Sequence, residues 1–358
     1  MHRRTLLQAA AMTMGIGIAH SKSQAAFSAP AEEALHAATW MAWPHSREIY
    51  PDIGYFEEVK LHLSRLANAI SPFEPVFMAA RDEDFTEIKN LCPDRVFPVA
   101  IPTNDMWMRD TGPVFVTSRS GQLAAVDFNF NGWGNKQQPR ANDAAVARKV
   151  CEHLNIERLE TALVGEGGGL EYDGQGTLLL TDSCWLNDNR NPGVSKADMT
   201  AELQHLLGVE KVIWLPGVKG QDITDGHIDG ALRLVRPGLV MTSGFAGDDT
   251  LWSDVLRESK AILARETDAK GRRFKVVDVP GALDPANPSE ALFTGYANYY
   301  VANGAVFTPR FGDAPADAIA QDRLAKLYPS RHVIPLDVDR IYECGGGIHC
   351  VTQQQPAV

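Results

Sequence analysis

Four short segments of the chain combine acidic, histidine and cysteine side chains with neighbouring glycines. They span residues 104–113, 165–169, 222–230 and 344–355, and their reactive members are Asp110, Glu166, His227, Asp229 and Cys350. A cysteine beside a flexible glycine loop and near a histidine can act as an activated nucleophile. Each segment alone also fits a simpler role, as a turn, a hairpin loop, a strand edge or a buried thiol.

The number of carboxylates limits the class of substrate that these residues could act on. A cysteine–histidine pair alone suits an amide substrate, whereas several carboxylates around it suit a planar cation with many N–H donors, such as a guanidinium. If Ile228 begins a strand, His227 and Asp229 face the same side, because side chains alternate along a strand. The combination favours hydrolysis of a guanidine by a thiolate.

Two other classes of protein use part of the same set. A polyamine-binding protein of the periplasm would need the carboxylates but no nucleophile. A metallohydrolase would use His227, Asp229 and His349, although their spacing is not a recognised one. The five cysteines include no Cys-x-x-Cys pair, which argues against a zinc ribbon. The glycines at 167–169 lack the following Lys-Ser/Thr of a nucleotide-binding P-loop.

Short β-rich runs and amphipathic stretches form the elements that must position these residues. Flanking Gly, Pro or Asp and β-branched residues predict strands at 76–78, 114–116, 124–128, 177–181, 212–215, 232–235, 239–241, 275–279, 305–307 and 333–336. Apolar residues three or four apart predict helices at 57–70, 141–154, 196–207, 252–264 and 317–327. Strand pairs followed by a helix recur about five times, but no sequence repeat is visible. The order indicates a mixed α/β fold.

Composition and the N-terminus set the cellular context. The 358 residues carry a formal charge of −11, which argues against a nucleic-acid binder. Arg3 and Arg4 precede a short apolar stretch and then small residues, which is the order of a twin-arginine export signal. We therefore predict a signal segment at 1–28, cleaved between residues 25 and 28, and a single catalytic domain at 29–358 with a charge of −14. This predicts a periplasmic or secreted protein that is free of the membrane after cleavage, or a cytoplasmic one if the signal does not function.

Nine motifs in order resemble the agmatine deiminases, which belong to the guanidino-group-modifying superfamily together with the peptidylarginine deiminases. They lie at 40–44, 104–113, 128–134, 166–168, 189–192, 214–216, 224–229, 296–300 and 345–356. Each motif is modest alone, but the ordered set covers nearly all of residues 38–356. The resemblance implies a five-bladed pseudo-symmetric α/β propeller (pentein) with a central active site. It also implies a small cationic guanidine substrate, no metal or organic cofactor, no nucleic-acid partner, and a homodimer.

The resemblance also implies a role for each matching residue. Cys350 would be the nucleophile that attacks the guanidinium carbon, and His227 would protonate the departing ammonia and then activate water. Asp110 and Asp229 would hold the guanidinium nitrogens, and Glu166 would orient the histidine. Trp107 and Asn298 would line the pocket. The implied reaction converts agmatine and water into N-carbamoylputrescine and ammonia.

Two departures from the family pattern concern the substrate. The family commonly has Gly-Gly-Gly-Asn-Ile-His-Cys at the nucleophile, whereas here Cys344 takes the position of the first glycine and Gly347 that of the asparagine. Lys136 or Arg140 could contact a substrate carboxylate, which would favour arginine or a peptide over agmatine. Peptidylarginine or free arginine therefore stays an alternative substrate.

Overall fold

The structure is a computed structural model that describes residues 26–244, 251–289 and 291–358. Most of the predicted signal segment lies outside the described residues, and its cleavage stays a prediction. The last two residues of that segment, Phe27–Ser28, form the first described strand. No helix among the described residues is long and apolar enough to cross a membrane.

Seventeen strands in the described residues form five sheets. The strands are β1 (Phe27–Ser28), β2 (His36–Ala42), β3 (Val76–Ala80), β4 (Val96–Ala100), β5 (Val114–Ser118), β6 (Leu123–Asp127), β7 (Glu157–Glu160), β8 (Glu171–Tyr172), β9 (Thr177–Thr181), β10 (Lys211–Leu215), β11 (Leu232–Arg236), β12 (Leu239–Ser243), β13 (Lys275–Val279), β14 (Tyr300–Ala302), β15 (Ala305–Pro309), β16 (His332–Leu336) and β17 (Gln353–Pro356). The sheet orders are β1-β5-β6-β7, β10-β9-β8, β11-β12-β13, β14-β15-β16 and β17-β2-β3-β4. Each predicted strand is present, with ends that differ by at most two residues.

Helices of the described part connect and flank these sheets. They are α1 (Ile53–Ile70), α2 (Phe85–Leu91), α3 (Met108–Thr111), α4 (Gly132–Asn135), α5 (Val146–Leu154), α6 (Asp182–Trp185), α7 (Lys196–Leu207), α8 (Leu251–Arg265), α9 (Ala314–Leu327) and α10 (Asp339–Glu343). The side chain of Ser195 accepts a hydrogen bond from the backbone N–H of Asp198 and so caps α7. The helix predicted at 141–154 is shorter, because 3-10 geometry at Asp143–Ala145 precedes α5.

The five sheets repeat one connectivity. In each, an antiparallel pair is followed by a long helix and then by a strand parallel to the second member of the pair; β8-β9-α7-β10 is one example. The same pattern occurs as β5-β6-α5-β7, β11-β12-α8-β13, β14-β15-α9-β16 and β17-β2-α1-β3. Topology therefore reveals the fivefold organisation that the sequence does not repeat, and the α/β propeller prediction is confirmed.

This repeat positions the predicted site. Asp110, Glu166, Asp229, Asn298 and Cys350 each lie in the segment that leads into the first strand of an antiparallel pair. The strands they precede are β5, β8, β11, β14 and β17, respectively. Each repeat therefore contributes one functional segment from the same structural position.

Candidate active site

Cys350 lies in a tight loop that leads into β17. Its Sγ is 3.2 Å from Nδ2 of Asn298 and 3.5 Å from Oδ2 of Asp229. The loop needs glycine, because a Cβ on Gly346 would come within 2.4 Å of the Trp107 ring and 3.2 Å of the Cys350 Cβ. Burial raises the pKa of the thiol well above its usual value, and the charges of Asp229 and Asp110 raise it further.

His227 is buried and held between two carboxylates. Its Nε2 lies 3.2 Å from Oε2 of Glu166, and its Nδ1 lies 3.7 Å from Oδ1 of Asp110. Although burial lowers the pKa of His227, the charge of Asp110 and contacts with Cys184 and Glu166 raise it well above its usual value. Among the described residues, Nδ1 has no hydrogen-bond partner, so this nitrogen is available to a substrate.

Arg190 fixes the carboxylate behind the histidine. Its Nε lies 2.9 and 3.0 Å from the two carboxylate oxygens of Glu166, and its Nη1 donates to Oδ2 of Asp225 at 2.8 Å. All three side chains are buried. Breaking one side of a buried pair costs about 3–5 kcal/mol, so Arg190 stabilises the loop that carries His227 as well as Glu166.

Asp110 is oriented from two directions. Nε1 of Trp133 donates to its Oδ2 at 2.9 Å, and the backbone N–H of Gly168 donates to its Oδ1 at 3.2 Å. Burial raises the pKa of Asp110 to about 6, with His227 lowering it and Asp229 and Glu166 raising it. Asp110 is thus a carboxylate whose charge is lost in mild acid.

Gly168 marks where the predicted groups converge. A Cβ at this position would lie 2.7 Å from Nδ1 of His227, 2.8 Å from Oδ1 of Asp110 and 3.2 Å from Oδ2 of Asp229. One small volume is therefore bordered by the proton carrier and both members of the predicted carboxylate clamp.

Ile228 does not begin a strand, so the condition of the alternation argument is not met. Ile228–Gly230 form a 3-10 turn, and β11 begins only at Leu232. Asp225 and Gly226 have φ values of 62° and 89°, and the Thr224 hydroxyl accepts the backbone N–H of His227. These contacts favour a compact turn over an extended strand. His227 and Asp229 nevertheless border the same volume, which the alternation argument predicted for a different reason.

Two cavities meet at Cys350. The first has a volume of about 440 Å³, and its lining includes the aromatic side chains of Trp107 and Trp133 and the acidic side chains of Asp105 and Asp110. The second has a volume of about 430 Å³ and is lined by residues that include His227, Asp229 and Asn298. Substrate can therefore reach the thiol along a wall that carries Asp110 or along one that carries Asp229.

The basic residues considered for substrate binding are engaged elsewhere. Lys136 Nζ lies 2.7 Å from Oδ1 of Asp225. Arg140 donates to the side-chain oxygen of Asn135 at 2.6 Å. Neither Lys136 nor Arg140 lines either cavity. The structure thus gives no support to a carboxylate-binding role for these two residues.

One group in the described part of the chain has the spacing of metal ligands. It consists of Glu166, Cys184 and His227, whose ligand atoms lie within 4.8 Å of one another. The Arg190 guanidinium already binds the carboxylate of this group, and a second cation there would be repelled. Among the described residues, His227, Asp229 and His349 do not form a group with metal-ligand spacing, and both ring nitrogens of His349 face carboxylates, those of Asp229 and Glu32.

Six of the seven predicted site residues line the two cavities that meet at Cys350, and the seventh, Glu166, lies behind His227 and contacts its Nε2. Sequence reasoning gave no role to Arg190, Trp133 or Glu32, and considered His349 only as a metal ligand. Arg190 and Trp133 lie in motifs that the resemblance uses, at 189–192 and 128–134, so their positions within those motifs were the available signal. Nothing local marks Glu32, whose partner His349 is 317 residues away.

Comparisons with known proteins agree with this geometry. The model of the Porphyromonas-type peptidyl-arginine deiminase family matches residues 28–356. An agmatine deiminase of Medicago truncatula is 37% identical over 364 residues, covering 93% of this chain and 97% of the relative.

Two solved structures are similar over most of their length. The agmatine deiminase of Enterococcus faecalis has a TM-score of 0.86 and 28% identity, covering 93% of this chain and 96% of that one. A C. jejuni agmatine deiminase with one cysteine replaced by serine, solved with substrate bound, has a TM-score of 0.81 and 28% identity, covering 92% and 96% of the two chains.

Proposed function

The chain belongs to the Porphyromonas-type peptidyl-arginine deiminase family, and from this premise we propose that it hydrolyses agmatine to N-carbamoylputrescine and ammonia. The observation that carries the proposal is the meeting of Cys350, His227, Asp110 and Asp229 around one buried volume. A thiol, a proton carrier and two carboxylates are the groups that guanidinium hydrolysis requires. A polyamine-binding protein has no need of the thiol.

Substrate binding activates the nucleophile. In the free enzyme Cys350 is a thiol at neutral pH, since burial and the charges of Asp229 and Asp110 raise its pKa. A guanidinium between these carboxylates neutralises their charge, which lowers the pKa of the thiol and favours loss of its proton. The substrate itself therefore promotes formation of the thiolate that attacks its carbon.

His227 then moves the protons. The imidazolium donates from Nδ1 to the departing nitrogen as the C–N bond breaks, which leaves ammonia and an S-alkylthiouronium on Cys350. The neutral imidazole next takes a proton from water as the water oxygen attacks the same carbon. Cleavage of the C–S bond releases the urea product and returns the thiolate. Glu166 holds Nε2 throughout, so Nδ1 is the nitrogen that exchanges protons.

The charge of the first cavity favours agmatine over arginine. Asp52, Asp105, Asp110 and Glu343 line it, and no lysine or arginine is among its lining residues. The carboxylate of arginine would enter this cavity without a cationic partner, which costs several kcal/mol. The ammonium of agmatine meets acidic and aromatic side chains instead. We expect the apolar walls at Trp107 and Tyr50 to cover the four-carbon chain.

A substrate panel tests the proposal. Ammonia release is measured with agmatine, free arginine and N-acetylarginine amide, and kcat/KM is expected to be at least ~100-fold higher for agmatine, equivalent to about 2.7 kcal/mol. Higher kcat/KM for either arginine compound would reject agmatine as the substrate.

Two cysteine variants separate an enzyme from a binding protein. Cys350→Ala should abolish ammonia release while calorimetry still detects agmatine binding. The matched control is Cys344→Ala, which removes another thiol lining the first cavity and should retain turnover. Full activity in Cys350→Ala would refute the nucleophile assignment.

We also propose export through the twin-arginine route. The paired arginines and the small residues before Phe27 support it. Since β1 occupies Phe27–Ser28, inside the predicted cleavage range, we place the cut before Phe27.

A further inference from the structure

The N-terminal segment supplies a carboxylate to the network behind the reacting groups. Oε2 of Glu32 lies 2.9 Å from Nε2 of His349 and accepts a hydrogen bond from Nη2 of Arg233 at 2.5 Å. Its other oxygen accepts the backbone N–H of Val301 at 3.1 Å. Three separate donors therefore fix this carboxylate, and its side chain is only 15% exposed, which is unusual for a surface acid.

His349 connects Glu32 to the carboxylate of Asp229, which lies beside the thiol. Its Nδ1 lies 2.8 Å from Oδ2 of Asp229, so its imidazole is held between two carboxylates. Each ring nitrogen therefore faces one carboxylate oxygen. Its backbone N–H also donates to Oδ1 of Asn298 at 2.9 Å, which leaves the ring little freedom to move.

This arrangement fixes the carboxylate of Asp229. The oxygen that His349 holds is the same Oδ2 that lies 3.5 Å from Sγ of Cys350. Rotation of the carboxylate would break its contact with His349. His349 thus fixes the orientation of the Asp229 carboxylate towards a guanidinium, and Glu32 fixes the orientation of the His349 ring.

We infer that Glu32 is a positioning residue for deimination, which acts through His349 on the carboxylate of Asp229. The inference rests on the proposed function, because it takes Asp229 to hold the guanidinium. Glu32 itself lines neither cavity that meets at Cys350.

Electrostatics support an ionised Glu32. Burial raises the pKa of its carboxyl, but the charges of Arg233 and His349 hold the pKa well below its usual range. A charged Glu32 strengthens its hydrogen bond to His349, because an ionised acceptor is stronger than a neutral one. Glu32→Gln removes that charge while nearly preserving the shape of the side chain.

The test compares Glu32→Gln with its neighbour Glu33→Gln. Glu33 is the matched control, since it is an acid of the same segment that interacts with Arg331 and Arg236 instead. Loss of outer contacts of this kind lowers activity by roughly 10–100-fold in metal sites, and we expect a similar fall in kcat for Glu32→Gln. KM should change much less than kcat, and Glu33→Gln should behave as the parent enzyme.

A double-mutant cycle with Asp229→Asn distinguishes positioning from general destabilisation. If Glu32 acts through Asp229, adding Glu32→Gln to Asp229→Asn should lower kcat/KM no further. Additive losses, or an unchanged kcat in Glu32→Gln, would overturn the inference. If thermal denaturation shows that Glu32→Gln is unfolded at the assay temperature, the test uses Glu32→Asp, which keeps the charge but shortens the side chain. A full kcat in Glu32→Asp would overturn the inference. A parent enzyme that releases no ammonia from any guanidine would instead refute the proposed function.

Discussion

Gly168→Ala tests whether the reacting groups are as closely packed as the structure indicates. The substitution adds one methyl group where His227, Asp110 and Asp229 converge. It keeps the backbone N–H that donates to Asp110 and introduces no charge. Its φ angle is not in the left-handed region, so the backbone itself accepts alanine.

The distances give the size of the effect. The new Cβ would lie 2.7 Å from Nδ1 of His227, whereas ordinary contact begins at 3.4 Å, so the ring or the loop must move by about 0.7 Å. A displacement of about 1 Å in a catalytic geometry can cost 10²-fold in rate, and we expect kcat to fall by roughly 10–100-fold. Overpacking of this kind costs about 1–3 kcal/mol, so Tm should fall by a few degrees and the enzyme should remain folded.

The assay is ammonia release from agmatine, with thermal denaturation of the same preparations. Gly54→Ala is the control, because this glycine lies on the exposed side of α1 and its nearest atom is 3.4 Å away. We expect the control to retain the parent kcat. A Gly168→Ala enzyme with kcat within about threefold of the parent and an unchanged Tm would refute the close convergence, since threefold corresponds to less than 1 kcal/mol of barrier.

Two further predictions concern pH and export. The pKa of Asp110 is raised to about 6, and the neutral form of this carboxyl cannot form an ion pair with a guanidinium. The value of kcat/KM for agmatine should therefore fall about tenfold per pH unit as the pH drops below 6. A pH profile in which kcat/KM begins to fall only below pH 5 would contradict this prediction. Replacing both Arg3 and Arg4 by lysine should keep the protein in the cytoplasm of its host, as measured by cell fractionation; an unchanged periplasmic amount would contradict twin-arginine export.

Local signals predicted the elements whose ends are determined by neighbouring residues. Helix α7 matches its predicted bounds because Ser195 caps its start, and Gly208, with a φ of 63°, ends it. The same signals did not show whether Ile228 begins a strand, and hydrogen bonds to Thr224 favour a turn there over the extended backbone. Thus a cap within three residues is readable from sequence, whereas competition between a turn and a strand is not.

Distant partners account for what the sequence could not predict. The glutamines of β17 lack an apolar pattern, yet Gln354 accepts from Arg109 and Gln355 from Trp40, so both have polar partners inside the fold. The contacts of Glu32 were equally hidden in the sequence, because its partners are 201 and 317 residues away. The resemblance predicted the residues that we propose to react, but the charged groups that support them became visible only in the folded chain.

The pairing of β17 with β2 has a consequence for the timing of activity. Trp40 and Gln355 bond across a separation of 315 residues, so one of the earliest strands to leave the ribosome must wait for one of the latest. At roughly 5–20 residues per second, that wait is on the order of tens of seconds. Cys350 lies just before the closing strand, so a growing chain has no nucleophile until the other four repeats have been made. We therefore expect the polypeptide to be inert during translation and to acquire activity only when its last repeat is joined to its first.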